Sequence, residues 1–223
     1  RGDVAQRSPR RPGEQRLAAR LLGPVGGSVV GMGFDPPQVP ADTTFADRHG
    51  LGRYVLYAGR LEQGKRVHIA AKHIADFAKR HDPSLRLVMI GNGSWTPPPE
   101  VAEFVHLIGF VDPEEKRAAM AGAVALVNPS ELESFSIVIL ESWMEGTPVI
   151  VAAGSEVMAD HCEESGGGLT FSDAASFARA LTHFMDDEEA RRGAGKRGRA
   201  YVMNRYGWNE VLARFGTALA GFA

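Results

Sequence analysis

The stretch from 123 to 152, AVALVNPSELESFSIVILESWMEGTPVIVA, contains the pattern that decides the fold. An apolar run at Ala123–Val127 is followed by a loop, by a helical segment at Ile137–Glu145, and by a second apolar run at Pro148–Ala152. Short continuous apolar runs are typical of strands that are covered on both faces of a parallel sheet. The stretch therefore predicts a strand, a helix and a second, parallel strand in succession.

The same alternation continues outward in both directions along the chain. Apolar runs predict four further strands, at Tyr54–Ala58, Leu85–Ile90, Val105–Ile108 and Gly168–Phe171. Helical spacing and helix-start signals predict helices at Val67–Lys79, from Asp112-Pro113 onward, and at Ala174–Met185, Glu188–Asn204 and Trp208–Phe222. We expect the charged helix at 188–204 to lie on the surface. This order predicts an α/β fold, a doubly wound parallel sheet of the Rossmann type.

Three segments differ in composition. Residues 1–47 include a candidate short helix at Glu14–Leu22 and three prolines at 36, 37 and 40, and are interpreted as an N-terminal remnant and interdomain linker. Residues 48–204 form the predicted domain, and residues 205–223 form a C-terminal helix. The first residue is Arg rather than Met, and we expect the chain to be trimmed at its start.

Composition narrows the classes of function. The chain has 25 basic and 27 acidic residues, so nucleic acid is not expected as a partner and any anion site must be local. The single cysteine, Cys162, rules out an intrachain disulfide framework and is interpreted as an inert thiol. No apolar stretch approaches the length of a membrane span. We therefore expect a cytoplasmic globular protein.

The loop after the first strand carries a cluster of cations. Its sequence, GRLEQGKR at 59–66, places Arg60 and Lys65 five residues apart, ahead of a helix. Arginine offers a planar fork and lysine a mobile point charge, and the helix N-terminus favours the same anion, so the loop could close around paired phosphates. A solvated basic turn explains the same residues. Neither a Gly-x-x-x-x-Gly-Lys-Ser/Thr loop nor a Gly-x-Gly-x-x-Gly turn is found.

The loops after the second and third strands give weaker signals. Gly91-Asn92-Gly93 would let the backbone approach a ligand closely, although glycines also simply make turns. Phe110 follows the third strand, where its ring could meet a flat base or pack into the core. Neither loop identifies a ligand by itself.

The loop after the fourth strand leads into a helix and contains two carboxylates eight residues apart, Glu133 and Glu141. Glu141 lies among apolar residues, where a carboxylate needs a hydrogen-bonding partner. A ribose diol would donate two hydrogen bonds to it, while the free amides around Ser134–Ile137 would face a diphosphate. Alternatively, Ser134 or Ser136 caps the helix and a nearby arginine pairs with Glu141.

Five motifs occur in order: Gly59-Arg60 with Lys65, then residues 91–93, residues 107–111, Pro129-Ser130 with Glu133 and Glu141, and residues 146–150. Each is common alone, but the ordered set is specific. It resembles the C-terminal domain of the retaining glycosyltransferases of family 4 (group 1), which have the two-domain GT-B fold. The resemblance covers about Tyr54 to Phe171 and continues weakly to the end of the chain.

The resemblance implies a role for each matching position. The catalytic residues would be Arg60 and Lys65, which bind the donor diphosphate, and Glu133, which contacts hydroxyls of the transferred sugar. Glu141 would bind the ribose, and Phe110 and Val111 the base, with Lys116 near guanine in some mannosyl-transferring relatives. The other donor-site residues would be Gly59, Gly91, Ser134, Phe135, Ser136 and Ile137. No Asp-x-Asp cluster occurs, so neither a metal nor another cofactor is expected.

The chain departs from the family at several positions. Arg66 stands where the family usually has glycine, and would either crowd the loop or add a third phosphate contact. Ser134-Phe135-Ser136 replaces the common Gly-Phe-Gly, and Trp143 is expected to fill core. The largest departure is length, because a full GT-B enzyme also has an N-terminal acceptor domain of comparable size.

These features together predict a hexosyltransferase that uses a UDP- or GDP-sugar and an unknown acceptor. We expect no activity without the N-terminal domain, and membrane contact, if any, only through that domain. A GT-B nucleotide-sugar epimerase and a non-catalytic nucleotide-binding module are the alternatives.

Overall fold

A computed structural model describes residues 30–220. Its six strands are β1 (Tyr54–Ala58), β2 (Arg86–Ile90), β3 (Val105–Gly109), β4 (Leu126–Asn128), β5 (Val149–Ala152) and β6 (Gly168–Phe171). All pairings are parallel, and the strands form one sheet in the order β3-β2-β1-β4-β5-β6. The doubly wound α/β fold predicted from the sequence is confirmed.

Helices connect the strands and cover both faces of the sheet. They are α1 (Phe45–Arg48), α2 (Val67–Arg80), α3 (Pro99–Ala102), α4 (Pro113–Gly122), α5 (Ile137–Met144), α6 (Glu156–Ser165), α7 (Ala174–Asp186), α8 (Glu188–Tyr206) and α9 (Trp208–Ala220), with a 3-10 turn at Gln63–Lys65. None of the helices within residues 30–220 is long and apolar enough to cross a membrane.

The order of the strands determines where a ligand can bind. The chain leaves β1 toward β2 and β3 on one side and later returns to place β4 on the other side of β1. The β1–β4 pairing is short, with Leu56 opposite Leu126 as its registered pair. Loops that follow these two strands therefore run in opposite directions and leave a crevice between them, which is where open parallel sheets bind ligands.

The core consists of two apolar layers, one on each face of the sheet. Along β1, Val55 and Tyr57 belong to the layer that α2 and α7 cover, whereas Tyr54, Leu56 and Ala58 belong to the layer of α4, α5 and α8. Both sets are buried, which explains why β1 reads as a continuous apolar run rather than an alternating one.

The α8 helix corrects the prediction of a surface-lying helix. Its charged residues reach solvent, but a stripe of small residues is buried, including Gly195 and Gly198. A Cβ at 195 would lie 1.7 Å from the carbonyl oxygen of Gly146, and one at 198 would lie 2.3 Å from the Trp143 ring. The glycines thus let α8 pack directly against the end of α5, and Trp143 is fully buried in the core, as predicted.

Other element predictions differ from the structure in defined places. The α6 helix was not predicted, because its sequence is polar on most positions; Ser155 caps it and Gly166 ends it in a left-handed conformation. The short helices α1 and α3 were also missed, and β4 begins at Leu126 rather than Ala123. The candidate helix at Glu14–Leu22 lies outside the described residues.

Candidate functional site

A cleft of about 540 Å³ opens at the carboxyl ends of β1, β2 and β3 and is closed on its far side by α5. Its position matches the crevice expected from the strand order. The cleft brings together eight of the residues predicted for the site: Gly59, Arg60, Gly91, Phe110, Val111, Lys116, Ile137 and Glu141. Residues from three loops and two helices therefore converge on one space.

The basic loop meets the loop after β4 through two ion pairs, of which Lys65–Glu133 is the first. Lys65 ends the 3-10 turn, and its Nζ donates to Oε1 of Glu133 at 2.7 Å. The two side chains are only 24% and 13% exposed, so this contact lies in a partly dehydrated environment. Arg60 is 69% exposed and lies 3.5 Å from Glu62. Lys65 and Glu133 are thus held together, whereas Arg60 reaches over the cleft rim.

A hydrogen bond from the buried Tyr57 holds the backbone of the basic loop. The hydroxyl of Tyr57 donates to the carbonyl oxygen of Arg60 at 2.7 Å, and Tyr57 itself is buried in the sheet. Burial raises the pKa of the Tyr57 hydroxyl, so this group stays a neutral donor. The position of Arg60 along the cleft is therefore fixed by the core rather than by a flexible loop.

Gly91 was predicted to let the backbone approach a ligand, but in the structure it allows the loop after β1 to approach the loop after β2. Its φ is 136°, and a Cβ there would lie 1.9 Å from the carbonyl oxygen of Gly59. The loops after β1 and β2 are also joined by a hydrogen bond from the Leu61 amide to the Asn92 carbonyl, at 2.8 Å. Gly91 lines the cleft, but the group that excludes a side chain there is the neighbouring loop.

Phe110 lies at the rim of the cleft and is 77% exposed. The alternative in which Phe110 packs into the core is therefore excluded. Val111, next in sequence, is partly buried and packs on the core layer below. An exposed aromatic ring beside a concave surface offers a stacking face for a planar group.

Glu141 pairs with a lysine rather than with the arginine considered from the sequence. Lys116 Nζ donates to Oε1 of Glu141 at 2.7 Å. Asp112 caps α4 by accepting from the amide of Glu115 at 2.8 Å, and this directs Lys116, one turn later, across to α5. Both side chains are about 30% exposed, so water or a ligand can reach the pair.

Ser136 begins α5 in a left-handed conformation, with φ 60° and ψ 64°. Its hydroxyl does not cap the helix, which corrects the capping alternative for this residue. Instead, Oγ accepts a hydrogen bond from Nδ2 of Asn128 at 3.1 Å, while Oδ1 of Asn128 accepts from the Ser130 amide at 3.1 Å. Asn128 is buried and was not predicted as a site residue; its only signal was a polar side chain at the end of an apolar strand.

We expect Ser136→Ala to destabilise the fold by more than Ser136→Gly. Both substitutions remove the hydrogen bond to Asn128, but only glycine relieves the left-handed backbone, by about 1 kcal/mol. Equilibrium urea unfolding of the two variants measures the difference. Equal losses of stability would mean that the backbone of residue 136 carries no strain.

The structure places Phe135 away from the cleft. Its ring packs edge-on against the rings of Tyr206 and His161, with centroid distances of 5.2 and 5.6 Å. The prediction that the Phe135 side chain contacts the donor is therefore corrected: the ring anchors the loop to the body of the domain. Ser134 is exposed, and its side chain does not line the cleft.

The ring cluster around His161 gives a pH-dependent stability. Burial, with a smaller effect from Arg205, lowers the pKa of His161 to about 4. Between pH 6.5 and 4 the unfolded chain binds a proton that the folded chain does not, so the free energy of unfolding falls as pH falls, by about 3 kcal/mol in total.

We expect His161→Phe to remove most of this pH dependence when thermal unfolding is measured from pH 7 to 5. His73, whose pKa is also lowered by burial, accounts for a residual slope. An unchanged slope in the variant would contradict the assignment.

Arg66 adopts φ 55° and ψ 29° directly after Lys65. Its guanidinium pairs with the carboxylate of Glu131, two residues before Glu133. Neither residue lines the cleft, and the same is true of the predicted site residues Lys65 and Glu133. Within residues 30–220, no group of three or more histidine, cysteine, aspartate and glutamate side chains is arranged to hold a metal ion.

The geometry can be compared with known proteins. The family model described as glycosyl transferases group 1 matches residues 47–201. A phosphatidyl-myo-inositol mannosyltransferase from Mycolicibacterium smegmatis is 30% identical over 205 residues, which cover 82% of this chain and 51% of the relative. A D-inositol 3-phosphate glycosyltransferase from Acidothermus cellulolyticus is 32% identical over 196 residues, covering 78% of this chain and 43% of the relative. The chain thus spans about half the length of the curated relatives it matches.

Solved structures share the fold at lower identity. Sucrose-phosphate synthase from Thermosynechococcus elongatus superposes with a TM-score of 0.74 at 22% identity, over 95% of this chain and 57% of that one. An Anabaena protein solved in complex with UDP and glucose gives a TM-score of 0.71 at 18% identity, over 85% and 55%. The likeness extends over most of the described sheet and helices.

Proposed function

This chain belongs to the group 1 glycosyltransferases, and we propose that it is the donor-binding half of an enzyme that transfers a sugar from a nucleoside-diphosphate sugar. The observation that carries the proposal is the cleft itself. Arg60, Lys116, Glu141 and the exposed ring of Phe110 line it. The Lys65–Glu133 pair lies outside the lining and joins the two loops whose other residues, Arg60 and Ile137, line the cleft. A nucleoside diphosphate carries complementary groups: diphosphate, ribose and base.

The phosphate end would be bound by three kinds of group. Lys65 supplies a point charge, Arg60 a planar fork, and the start of α5 the free amides near Ile137. In this structure Lys65 is bonded to Glu133. A bound diphosphate would share that lysine and leave Glu133 to accept hydrogen bonds from hydroxyls of the transferred sugar.

The nucleoside end would use the Lys116–Glu141 pair. The ribose diol donates to the carboxylate of Glu141, which keeps its contact with Lys116 through the other oxygen or exchanges it. The base stacks at Phe110 and meets the backbone near Val111. The relative from Mycolicibacterium smegmatis is a mannosyltransferase, and the Anabaena structure contains UDP and glucose. We therefore test both UDP and GDP rather than one base.

Transfer breaks the bond between the anomeric carbon and the phosphate oxygen, and the departing nucleoside diphosphate gains negative charge. Fixed cations placed at that oxygen stabilise the charge as it develops, which is the largest usual contribution to catalysis of this kind. Arg60 and Lys65 would perform this task in place of a metal ion. We infer that retention of the anomeric configuration follows the family.

The acceptor would bind to a second half, equal in size to what the relatives have beyond this chain. One surface suits such a contact: Trp208, Leu212, Phe215 and Leu219 line one face of α9 and are each 47–57% exposed. We propose that this chain alone binds donor without transferring sugar. The buried thiol of Cys162, whose pKa burial raises to about 12, fits the reducing cytoplasm in which we place the enzyme.

Calorimetric titration of the chain with UDP, GDP and their 2′-deoxy forms tests the donor site. We expect one ribonucleoside diphosphate to bind, and the 2′-deoxy form to bind more weakly because Glu141 loses a donor. Saturation at a hundred times the dissociation constant should also stabilise the fold by about 2.7 kcal/mol. In Glu141→Ala the preference for ribose should disappear while the diphosphate still binds. Failure of every nucleoside diphosphate to bind would refute the proposal.

A further inference from the structure

Arg66 holds an uncommon backbone conformation for a residue with a side chain. With Ser136, it is one of two non-glycine residues in the described part of the chain that have a positive φ. Glycine would adopt this conformation without strain. The Arg66 side chain makes an ion pair with Glu131, which a glycine at this position could not make.

The Arg66 contact joins two loops that both carry site residues. Its guanidinium pairs with Glu131, so the ion pair spans the loop after β1 and the loop after β4. The Lys65–Glu133 pair spans the same two loops directly beside it. Two adjacent residues of one loop therefore bind two nearly adjacent residues of the other.

Glu131 is also supported by a third loop. A Cβ at Gly154, just after β5, would lie 2.7 Å from Cγ of Glu131 and 2.9 Å from its Oε1. The glutamate side chain thus lies directly on the bare backbone of Gly154. Its orientation toward Arg66 depends on that position having no side chain.

The two ion pairs differ in what a ligand does to them. In the proposed complex Lys65 also binds the diphosphate, and its hydrogen bond to Glu133 then weakens. Neither pair lines the cleft itself, and the exchange proposed for Lys65 leaves the bond between Arg66 and Glu131 in place. The Arg66–Glu131 pair, here the outer pair, would then hold the loops together while the Lys65–Glu133 pair, here the inner pair, binds the donor.

We propose that Arg66 and Glu131 are positioning residues that hold Lys65 and Glu133 at the spacing the donor diphosphate requires. The proposal rests on the proposed function and deepens it. Because side chains of Arg66 and Glu131 are 34% and 50% exposed, the pair adds little to the stability of the fold. Its effect is on the geometry of the inner pair.

If Arg66 instead contacted the phosphate directly, the expected effects of the substitutions would be the opposite. If Arg66 bound phosphate, Glu131 would compete with the ligand, and removing the Glu131 charge would strengthen binding. If Arg66 acts through Glu131, removing either partner weakens binding. Gly154→Ala adds a third test, because it displaces the flexible Glu131 side chain without changing any charge.

The test measures the dissociation constants of UDP and GDP for the whole chain by calorimetry. We expect Arg66→Gly, Glu131→Gln and Gly154→Ala each to weaken binding about threefold. The double variant Arg66→Gly with Glu131→Gln should be no weaker than either single variant. The exchanged pair, Arg66→Glu with Glu131→Arg, should recover most of the affinity. Glu103→Gln, at an exposed carboxylate that does not line the cleft, serves as the control and should bind as the unchanged chain does.

Each result has a distinct meaning. Stronger or unchanged binding in Glu131→Gln and Gly154→Ala would overturn the proposal, and so would additive losses in the double variant. A chain that binds no nucleoside diphosphate in any form would instead refute the proposed function, and the positioning role with it. Urea unfolding of each variant confirms that the measured losses come from folded protein.

Discussion

Gly195→Ala is expected to destabilise the domain by about 3 kcal/mol, although alanine is the better helix former. The added Cβ would lie 1.7 Å from the carbonyl oxygen of Gly146. That oxygen belongs to the backbone at the end of α5, so neither side can move without separating two packed helices. The clash therefore outweighs the gain in helix propensity. Thermal and urea unfolding measure the loss, with roughly 2–4 °C of melting temperature for each kcal/mol in a domain of this size.

Gly193→Ala, two residues away on the same helix, is the matched control. Its Cβ would meet only the mobile guanidinium of Arg197, at 3.2 Å. We expect this variant to stabilise the fold by up to about 1 kcal/mol, because helix propensity acts there without a clash. The opposite signs of the two substitutions are the result to look for. If both stabilise the chain, α8 does not pack on α5 as described.

Lys65→Met is expected to weaken binding of a nucleoside diphosphate by about 2–4 kcal/mol, or roughly thirty- to a thousandfold. Methionine keeps the length of the stem but removes the charge that would face the phosphates in the proposed complex. It also leaves Glu133, only 13% exposed, as an unpaired carboxylate beside them. The loss therefore combines a missing attraction with a new repulsion. Calorimetric titration with UDP and GDP gives the affinity directly.

The two contributions can be separated by a second substitution. Lys65→Met combined with Glu133→Gln should recover part of the affinity, because the repulsion is removed while the attraction is still missing. Lys72→Ala, at an exposed position on α2, is the control for a general loss of positive charge and should bind normally. A Lys65→Met chain that binds within twofold of the unchanged one would contradict the role given to Lys65.

The sequence predicted those structural elements that depend on residues close together along the chain. Apolar runs identified the strands, most clearly the central ones such as β1 and β5, because a strand buried on both faces has no polar positions to obscure it. The cap at Asp112 and the ends of α2 and α7 followed equally from neighbouring residues. The α6 helix was missed although Ser155 and Gly166 mark its two ends, because most of its positions are polar; it packs against β5, β6 and α8.

The candidate site could be predicted only as a set of loops. Strand order places the loops after β1 and β4 at one crevice, so Arg60, Lys65, Glu133 and Glu141 were expected to lie near one another. Which side chains pair could not be read from spacing. Glu141 meets Lys116 from another helix, and Phe135 turns into a ring cluster instead of the cleft. These choices depend on distances between elements far apart in sequence.

By itself, the sequence determined the class of fold and the charged residues in the loops after the strands, because each follows from periodicity and chain order. Only the tertiary structure decided how those charges are paired and how closely the helices approach. Arg66 pairs with Glu131, 65 positions further along the chain, where the Glu131 side chain lies on the bare backbone of Gly154, and Gly195 lies against Gly146. Such contacts arise from the packing of distant loops and helices, which no local pattern encodes.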